Sequence, residues 1–391
     1  MAGSGYVRSQ ALGAYQLWND GRALLGDLDV ELTERCDNAC VHCCINLARN
    51  DRRAQSRELD TASWKEVLRQ AANLGAIAVR FTGGEPLLRT DFPELYIFSR
   101  QLGMKVIVFT NARRVTPELA DLFARTPPLR PVEVSVYGMS QTSYESVSRT
   151  PNSYLEFKAG LELLLKRKVP VLVKMPLLPQ NRHEVQSFIK WGSSLPRARG
   201  RTPPTLFALE LRHRRDSQAR DKQIAALRWS PKEFLALEHK LGATGHIART
   251  QHWRDRMHPP GDRLFLCGAG LKNAAVDAYG YLQPCLLLRD PGLASDLKSI
   301  PLREALLPLR KRLLSLRATN PTYLERCAQC FIKGLCDQCP GKSWTETGTL
   351  DTPVEYLCQL AHARARELGL LAADESSWEI RDWQKRLEKM Q

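Results

Sequence analysis

The sequence has no long apolar run. Although 43% of its 391 residues are hydrophobic, even the stretch Val169–Leu178 is broken by Lys174 and two prolines, and a membrane-spanning helix needs about 20 mostly apolar residues. Met1–Val30 has no apolar block behind basic residues, which argues against a signal peptide or anchor and makes a cytoplasmic location the expectation. Internal repeats and low-complexity tracts are missing too. Aromatics are scarce, at 7%, and this matters because the net charge of +15 invites a nucleic-acid reading. One basic stretch runs from Arg182 through Arg197, Arg199, Arg201 and Arg212 to Arg215; another holds Arg303, Arg310, Lys311, Arg312 and Arg317. Neither interleaves the aromatics on which single-stranded bases stack. Solvated basic faces are the first reading, attraction of an acidic partner such as a carboxylate-rich peptide the second, and nucleic acid the third.

Cysteine, by contrast, is abundant. Eleven of them, an odd number clustered at ligand spacings in a chain without an export signal, favour metal binding over disulfides. Cys36, Cys40 and Cys43 lie just after a strand-like segment, three and then two residues apart. Thiolates so spaced can share one iron–sulfur core. Four irons facing three cysteines leave one iron open, which a catalyst needs and an electron carrier does not. The spacing alone leaves a structural zinc loop or unrelated buried thiols about equally open. Cys44 lies outside the pattern and reads as a spare core thiol. Forty residues on, Phe81-Thr82-Gly83-Gly84-Glu85-Pro86 follows the strand-like Ala76–Arg80, and its two glycines would let backbone approach a ligand with no Cβ between.

From Gly26 to about Leu211, strand-like and helix-like segments alternate, the pattern of a parallel α/β sheet. Six strands are expected: Leu28–Leu32, Ala76–Phe81, Val106–Phe109, Val132–Tyr137, Pro170–Met175 and Leu206–Leu211. All are short and rich in Val, Ile, Leu or Phe, as strands buried on both faces tend to be. The helices between them are well punctuated: after Asp60 and Thr61, from Asp91 to Leu102 before Gly103, from Thr116 and Pro117, from Leu155 to Lys166, and after Asn181. Six such units make an open, partial (β/α)6 barrel with its chemistry at the carboxyl ends of the strands. Thr110, Asn111, Ser135, Tyr137 and Arg149 fall at or just past such ends. From Arg212 to Pro260 the alternation fails, except for a helix from Ser230 and Pro231 to Leu241, ending at Gly242. Seven more cysteines follow: Cys267, then Cys285 five residues after Gly280, then Cys327, Cys330, Cys336, Cys339 and Cys358. A helical tail from Gln359 to Met390 reads as a packed terminal helix.

The CxxxCxxC motif after a first strand, with GGEP after a second, resembles the radical S-adenosylmethionine (SAM) superfamily. The seven later cysteines resemble its SPASM extension, with one departure: two residues, not three, separate Cys336 from Cys339. The resemblance implies a SAM-binding [4Fe–4S] cluster on Cys36, Cys40 and Cys43. It also implies a Gly83–Pro86 turn (Gly83, Gly84, Glu85, Pro86) holding the SAM amino group, with Ser135 and Arg149 on its carboxylate. Two auxiliary [4Fe–4S] clusters are implied: an outer one on Cys327, Cys330, Cys336 and Cys358, and an inner one on Cys267, Cys285 and Cys339, whose open iron could take a substrate thiolate, a water, or a local ligand such as His258 or Asp262. Zinc remains the alternative for the CxxC pairs, although five residues between them is tight for a zinc ribbon.

The resulting domain expectation is an extension over 1–25, the radical SAM barrel over 26–225, a bridge over 226–260, the SPASM domain over 261–360 and a C-terminal helix over 361–391. Residues 1–25 are too few for the winged-helix leader-binding domain of some relatives, so another surface or a separate protein would have to recognise the peptide. The implied reaction starts with reduction of the first cluster by a low-potential donor such as a flavodoxin or ferredoxin, cleavage of SAM to a 5′-deoxyadenosyl radical, and hydrogen abstraction. The expected substrate is a ribosomally made precursor peptide that acquires a thioether, C–C or C–O crosslink. A sulfatase-maturing formylglycine enzyme and a haem or sirohaem side-chain processing enzyme are the enzymatic alternatives; a zinc-stabilised nucleic-acid-binding protein and a multicluster electron carrier are the others.

Overall fold

A computed structural model describes residues 24–45, 47–196, 205–208, 211–214, 217–241 and 260–388. Residues 1–23, Arg197, Arg199, Arg201, residues 209–210, Arg215, Gly242, His258 and Met390 lie outside the described residues.

Six parallel strands stand side by side in chain order: β1 (Asp27–Thr33), β2 (Ala78–Gly83), β3 (Lys105–Thr110), β4 (Val132–Ser135), β5 (Val171–Pro176) and β6 (Thr205–Ala208). The helices between them are α1 (Thr61–Asn73), α2 (Phe92–Gln101), α3 (Pro117–Arg125), α4 (Gln141–Ser148), α5 (Ser153–Lys166) and α6 (Val185–Ser194). Two of the expected side-chain caps form, whereas the Asp91 carboxylate accepts from Thr61 and Arg89 and Asn181 makes no cap bond. Asp60 accepts from Ser63 N at 2.8 Å and Thr116 from Leu119 N at 3.3 Å, while Gly103 turns left-handed, at φ +84°, beyond α2. Helix α4 carries little apolar patterning and was not foreseen; Ser140 caps it and Tyr144 and Val147 anchor it.

The strands are not apolar on both faces. Leu28, Val30, Leu32, Val79, Phe81, Val106, Val108, Val132, Val134 and Val173 are buried against the helices. The alternate residues Asp29, Arg80, Phe109, Glu133 and Lys174 turn the other way and pair among themselves: Asp29 with Arg80, and Lys174 with Glu133 at 2.8 Å, Lys174 Nζ lying 3.3 Å from the Phe109 ring centre. A closed barrel would fill that space with layered apolar side chains. Here the sheet stays open and its concave face is polar.

The sheet continues into the cysteine-rich region. Strand β7 (Asn273–Val276) lies parallel to β1, Asp27 opposite Asn273, and β8 (Tyr281–Gln283) and β9 (Ser295–Asp296) add antiparallel pairs beyond it. Two further helices, α7 (Gln218–Ala226) and α8 (Pro231–Leu241), lie before it. Helix α9 (Leu302–Ser315) covers this extension with Leu302, Ala305, Leu306, Leu309 and Leu313 buried. The second basic stretch is therefore only partly a solvated face: Arg310 is buried and donates to the carbonyls of Gly270 (3.1 Å), Leu271 (2.5 Å) and Leu24. Beyond α10 (Pro340–Thr347), the expected single tail helix is two: α11 (Glu355–Glu367) stops before Gly369, φ +70°, and α12 (Trp383–Glu388) follows an irregular segment. Among the described residues no helix is long and apolar enough to cross a membrane.

Candidate functional site

The first three thiols stand at the carboxyl mouth of the sheet. Past Thr33, Arg35–Cys36 pairs with Leu47–Ala48 and so closes the loop on itself. Arg35 clamps it, donating to Glu58 from Nε (2.8 Å) and Nη2 (2.9 Å) and to Arg49 O from Nη1 (3.0 Å). The loop's middle is pinned to the last turn of α4: Ala39 N donates to Ser148 O at 2.8 Å and Val41 N to Val147 O at 3.0 Å. Cys36, Cys40 and Cys43 are brought together. Burial pushes the Cys36 thiol well up, and Glu85, Cys40 and Cys43 add to it; burial and then Cys43 raise Cys40. Such a set holds thiolates only when cations compensate them. Donors already point at sulfur: Asn38 N (3.4 Å) and Asn111 Nδ2 (3.9 Å) at Cys36, and the Tyr137 hydroxyl at Cys40. Three soft thiols ringed by N–H and O–H donors suit an iron–sulfur cluster. Cys44 is half-buried beside Arg212 and Arg214, in no apolar core, which corrects its assignment as a core thiol.

Gly83 and Gly84 are also needed for a close approach of backbone to backbone. A Cβ on Gly83, at φ +131°, would lie 2.1 Å from Thr33 O, and one on Gly84 2.2 Å from Arg35 O. Their absence lets Gly84 N donate to Thr33 O (2.7 Å) and Glu85 N to Arg35 O (2.9 Å). The glycines thus seat β2 against the chain entering the cysteine loop. Gly84→Ala should cost about 1–3 kcal/mol or more in thermal unfolding, because backbone, not a flexible side chain, stands in the way. The buried Glu85 accepts from Leu87 N (3.1 Å), Thr110 Oγ1 (2.8 Å) and Asn111 N (2.7 Å). Burial, then Asp37, pushes its carboxyl up to about 8. Three of its roughly four acceptor positions are filled. Asn111 Nδ2 also donates to Asp37 Oδ1 (2.8 Å), and Arg114 Nε to Asp37 Oδ2 (2.7 Å). Arg113 and Arg114, which grip the loop from beyond β3, were not anticipated; two arginines just past a strand end were the available signal. Ser135 is half-buried at the end of β4, and the exposed Arg149 follows α4 at φ 53°.

The seven later cysteines gather into two groups. Cys327, Cys330, Cys336 and Cys358 are mutual neighbours: each is raised first by burial, and the other thiols add to the rise in Cys327, Cys330 and Cys336. Cys285, pushed up to about 11 by burial, has Cys339 and Cys267 beside it. The shortened Cys336–Cys339 spacing does not keep Cys339 from this second group: Cys339 stands at the N-cap of α10 and reaches it. A cavity of about 300 Å3 has Cys267, Cys327, Cys330, Cys336, Cys339 and Cys358 on its walls. Among the described residues no three His, Cys, Asp or Glu side chains close on a point fit for one metal ion; a cubane is a body, with thiols spread around it. Asp262 faces Arg317 at 3.6 Å and lies near Tyr323 and Lys333, which line the cavity beside the outer group.

One buried polar cluster ties the mouth to the cysteine-rich region, and no motif announced it. Arg289 donates to Glu34 Oε1 at 2.9 Å and to Glu31, and lies 3.7 Å from Asp277; Arg214 pairs with Glu34, and Tyr279 donates to Glu34 Oε2 at 2.8 Å. Burial, opposed by the N–H groups of Tyr281 and Tyr279, pushes the Asp277 carboxyl up to about 6. Because the folded value exceeds the unfolded one of about 3.9, the native state binds the extra proton. Its contribution is complete below pH 4 and fades as pH rises through 6. Asp277→Asn should therefore gain on wild type between pH 4 and 7 by at most about 3 kcal/mol, read from paired melts; a constant difference across that range would refute the titration.

Comparison with known proteins places this geometry. Residues 30–192 match the family described as the Radical SAM superfamily. The AdoMet-dependent heme synthase of Methanosarcina barkeri is 23% identical over 335 residues, 81% of this chain and 92% of that protein. The PqqA peptide cyclase of Xanthomonas campestris pv. campestris is 30% identical over 168 residues, 42% of this chain and 44% of that protein; the chain thus spans less than half the length of this relative. The crystal structure of Streptococcus suis SuiB bound to precursor peptide SuiA superposes with a TM-score of 0.61 at 14% identity, covering 84% of this chain and 74% of that one, a likeness of fold. The chain carries a radical SAM domain over residues 30–192 and is an enzyme. Its cysteine-rich C-terminal region is consistent with a SPASM domain, and its family implies a [4Fe–4S] cluster and SAM.

Proposed function

We propose that this enzyme modifies a ribosomally made peptide, closing a thioether, C–C or C–O crosslink, with Cys36, Cys40 and Cys43 holding the SAM-binding cluster. The outer four thiols and the inner three would hold two auxiliary clusters. The division of the later thiols into four and three carries the reading, because an inner cluster one ligand short can take a substrate group. The peptide class draws support from the names of PqqA peptide cyclase and of SuiB with its precursor peptide.

A cluster held by Cys36, Cys40 and Cys43 would supply the low-potential electron for reductive cleavage of SAM and so for hydrogen abstraction from substrate. The chain's own part is to hold and orient. Asn38, Asn111 and Tyr137 donate to the sulfurs, which favours the reduced state. Glu85 fixes the turn between β2 and β3, and Ser135 and Arg149 would bind the SAM carboxylate, an anion that suits an Arg fork. The polar concave face admits a polar substrate. Electrons would come from a flavodoxin or ferredoxin, and a separate protein would present the peptide. Residues 26–225, 226–260 and 261–360 are the working division into barrel, bridge and auxiliary domain.

The deciding experiment incubates reduced enzyme with SAM and each small peptide encoded beside its gene. A change in peptide mass with formation of 5′-deoxyadenosine supports the reading; deoxyadenosine with every peptide unchanged ends it. The match to a heme synthase over 81% of this chain favours a second reading, an iron porphyrinoid with carboxylate side arms as substrate, which would register as loss of carboxylate mass from that compound.

A further inference from the structure

Around the outer thiols stand side chains that no cysteine pattern announces. Arg326 donates from Nη2 to Cys358 Sγ at 3.4 Å, is held by Glu355 through Nη1 at 2.6 Å and Nη2 at 3.2 Å, and lies over the Trp378 ring at 4.5 Å. Ser377, fully buried, puts its hydroxyl 3.0 Å from Cys330 Sγ. Its backbone N–H donates to His362 Nε2 at 3.2 Å. That bond makes Nε2 the acceptor, so the ring proton sits on Nδ1, 2.9 Å from Cys358 O and 3.6 Å from Cys358 Sγ. His362 in turn packs edge-on against Trp378 at 5.1 Å. Two of the four outer sulfurs are thus supplied with donors from outside the CxxC pairs, one of them cationic, and the segment 372–378 that carries Ser377 and Trp378 closes one side of the site.

We propose that Arg326 and Ser377 are positioning residues that set the reduction potential of the outer auxiliary cluster, with the segment 372–378 as the cap that delivers the second of them. The proposal rests on the reading that these four thiols hold a cluster. Reduction adds negative charge to a body already anionic, and a donor aimed at a ligating sulfur stabilises that charge more in the reduced state than in the oxidised one. A guanidinium at 3.4 Å does so most, being charged, always protonated and partly withdrawn from water. Trp378 and His362 hold both donors in place.

The test is a reductive titration of the anaerobic holoenzyme followed by electron paramagnetic resonance, with iron and sulfide measured on each sample. Arg326→Gln should make reduction of one auxiliary signal at least tenfold less favourable, about 59 mV more negative for one electron. Ser377→Ala should move the same signal in the same direction by less. Arg326→Lys should restore most of the wild-type value, and the SAM-binding signal should not move. Arg326→Gln and Ser377→Ala holding full iron with every signal at the wild-type potential would overturn the proposal. Loss of iron from Arg326→Gln alone leaves the decision to Ser377→Ala and Arg326→Lys, which keep the charge and the ligands. Wild-type protein carrying only about four irons per chain would instead overturn the reading beneath it, that the outer thiols hold a cluster at all.

Discussion

Replacing Cys36, Cys40 and Cys43 together by alanine should reduce 5′-deoxyadenosine formation to the uncatalysed background and remove about four irons per chain, leaving the melting temperature of the metal-depleted chain within a few degrees of wild type. The last clause follows from how the loop is held. Its shape comes from Arg35 on Glu58 and Arg49, from Ala39 and Val41 on the end of α4, and from Arg113 and Arg114 on Asp37 and Asn38; none of these bonds uses a thiol. Cys44→Ala is the internal control. Its sulfur sits beside Arg212 and Arg214, so iron content and cleavage should stay at wild-type levels. A triple variant that still splits SAM at the original rate would show that the chemistry lies elsewhere.

The second large effect is on stability. Arg289 sits among Glu31, Glu34 and Asp277 with side-chain exposures of 13%, 6%, 7% and 6%, respectively, and burial lowers its own pKa to about 10. The ion is costly to bury, but removing it is costlier, since carboxylates already stripped of water are left facing one another. Arg289→Met should destabilise by about 3–5 kcal/mol, a fall of roughly 5 °C in Tm for a chain of this size. Arg214 and Tyr279 still serve Glu34, so the loss should concentrate on Glu31. Adding Glu31→Gln should recover part of it in a double-mutant cycle. A single variant melting within two degrees of wild type would mean that water, not Arg289, satisfies these acids.

Much of this was open to inspection in the sequence. The six strands and the capped helices α1, α2 and α3 could be placed because their signals are local: an apolar run, an Asp or Thr followed by a helical period, a Gly at the stop. The cysteines were legible for the same reason, and the structure groups them four, three and three. What stayed hidden depends on partners far away in the chain. The charged alternation of the concave face looked like breaks in apolar strands until Asp29 met Arg80 and Glu133 met Lys174. Arg310 looked like surface charge because its acceptors are carbonyls some 40 residues and more away. Helix α4, with few apolar residues, is held by tertiary contacts more than by its own pattern. Arg289 and Glu31 are separated by 258 residues, a distance over which no local motif speaks.

Strand β7 also bears on what can be cut apart. Because it occupies the flank of β1, a polypeptide ending before residue 260 would present β1, the strand that leads into Cys36, as a bare row of unpaired amides and carbonyls, the template on which chains stick to one another. Domain exchange among relatives would therefore have to carry residues 273–283 along with the barrel; a graft made at the bridge would yield inclusion bodies in place of a hybrid catalyst.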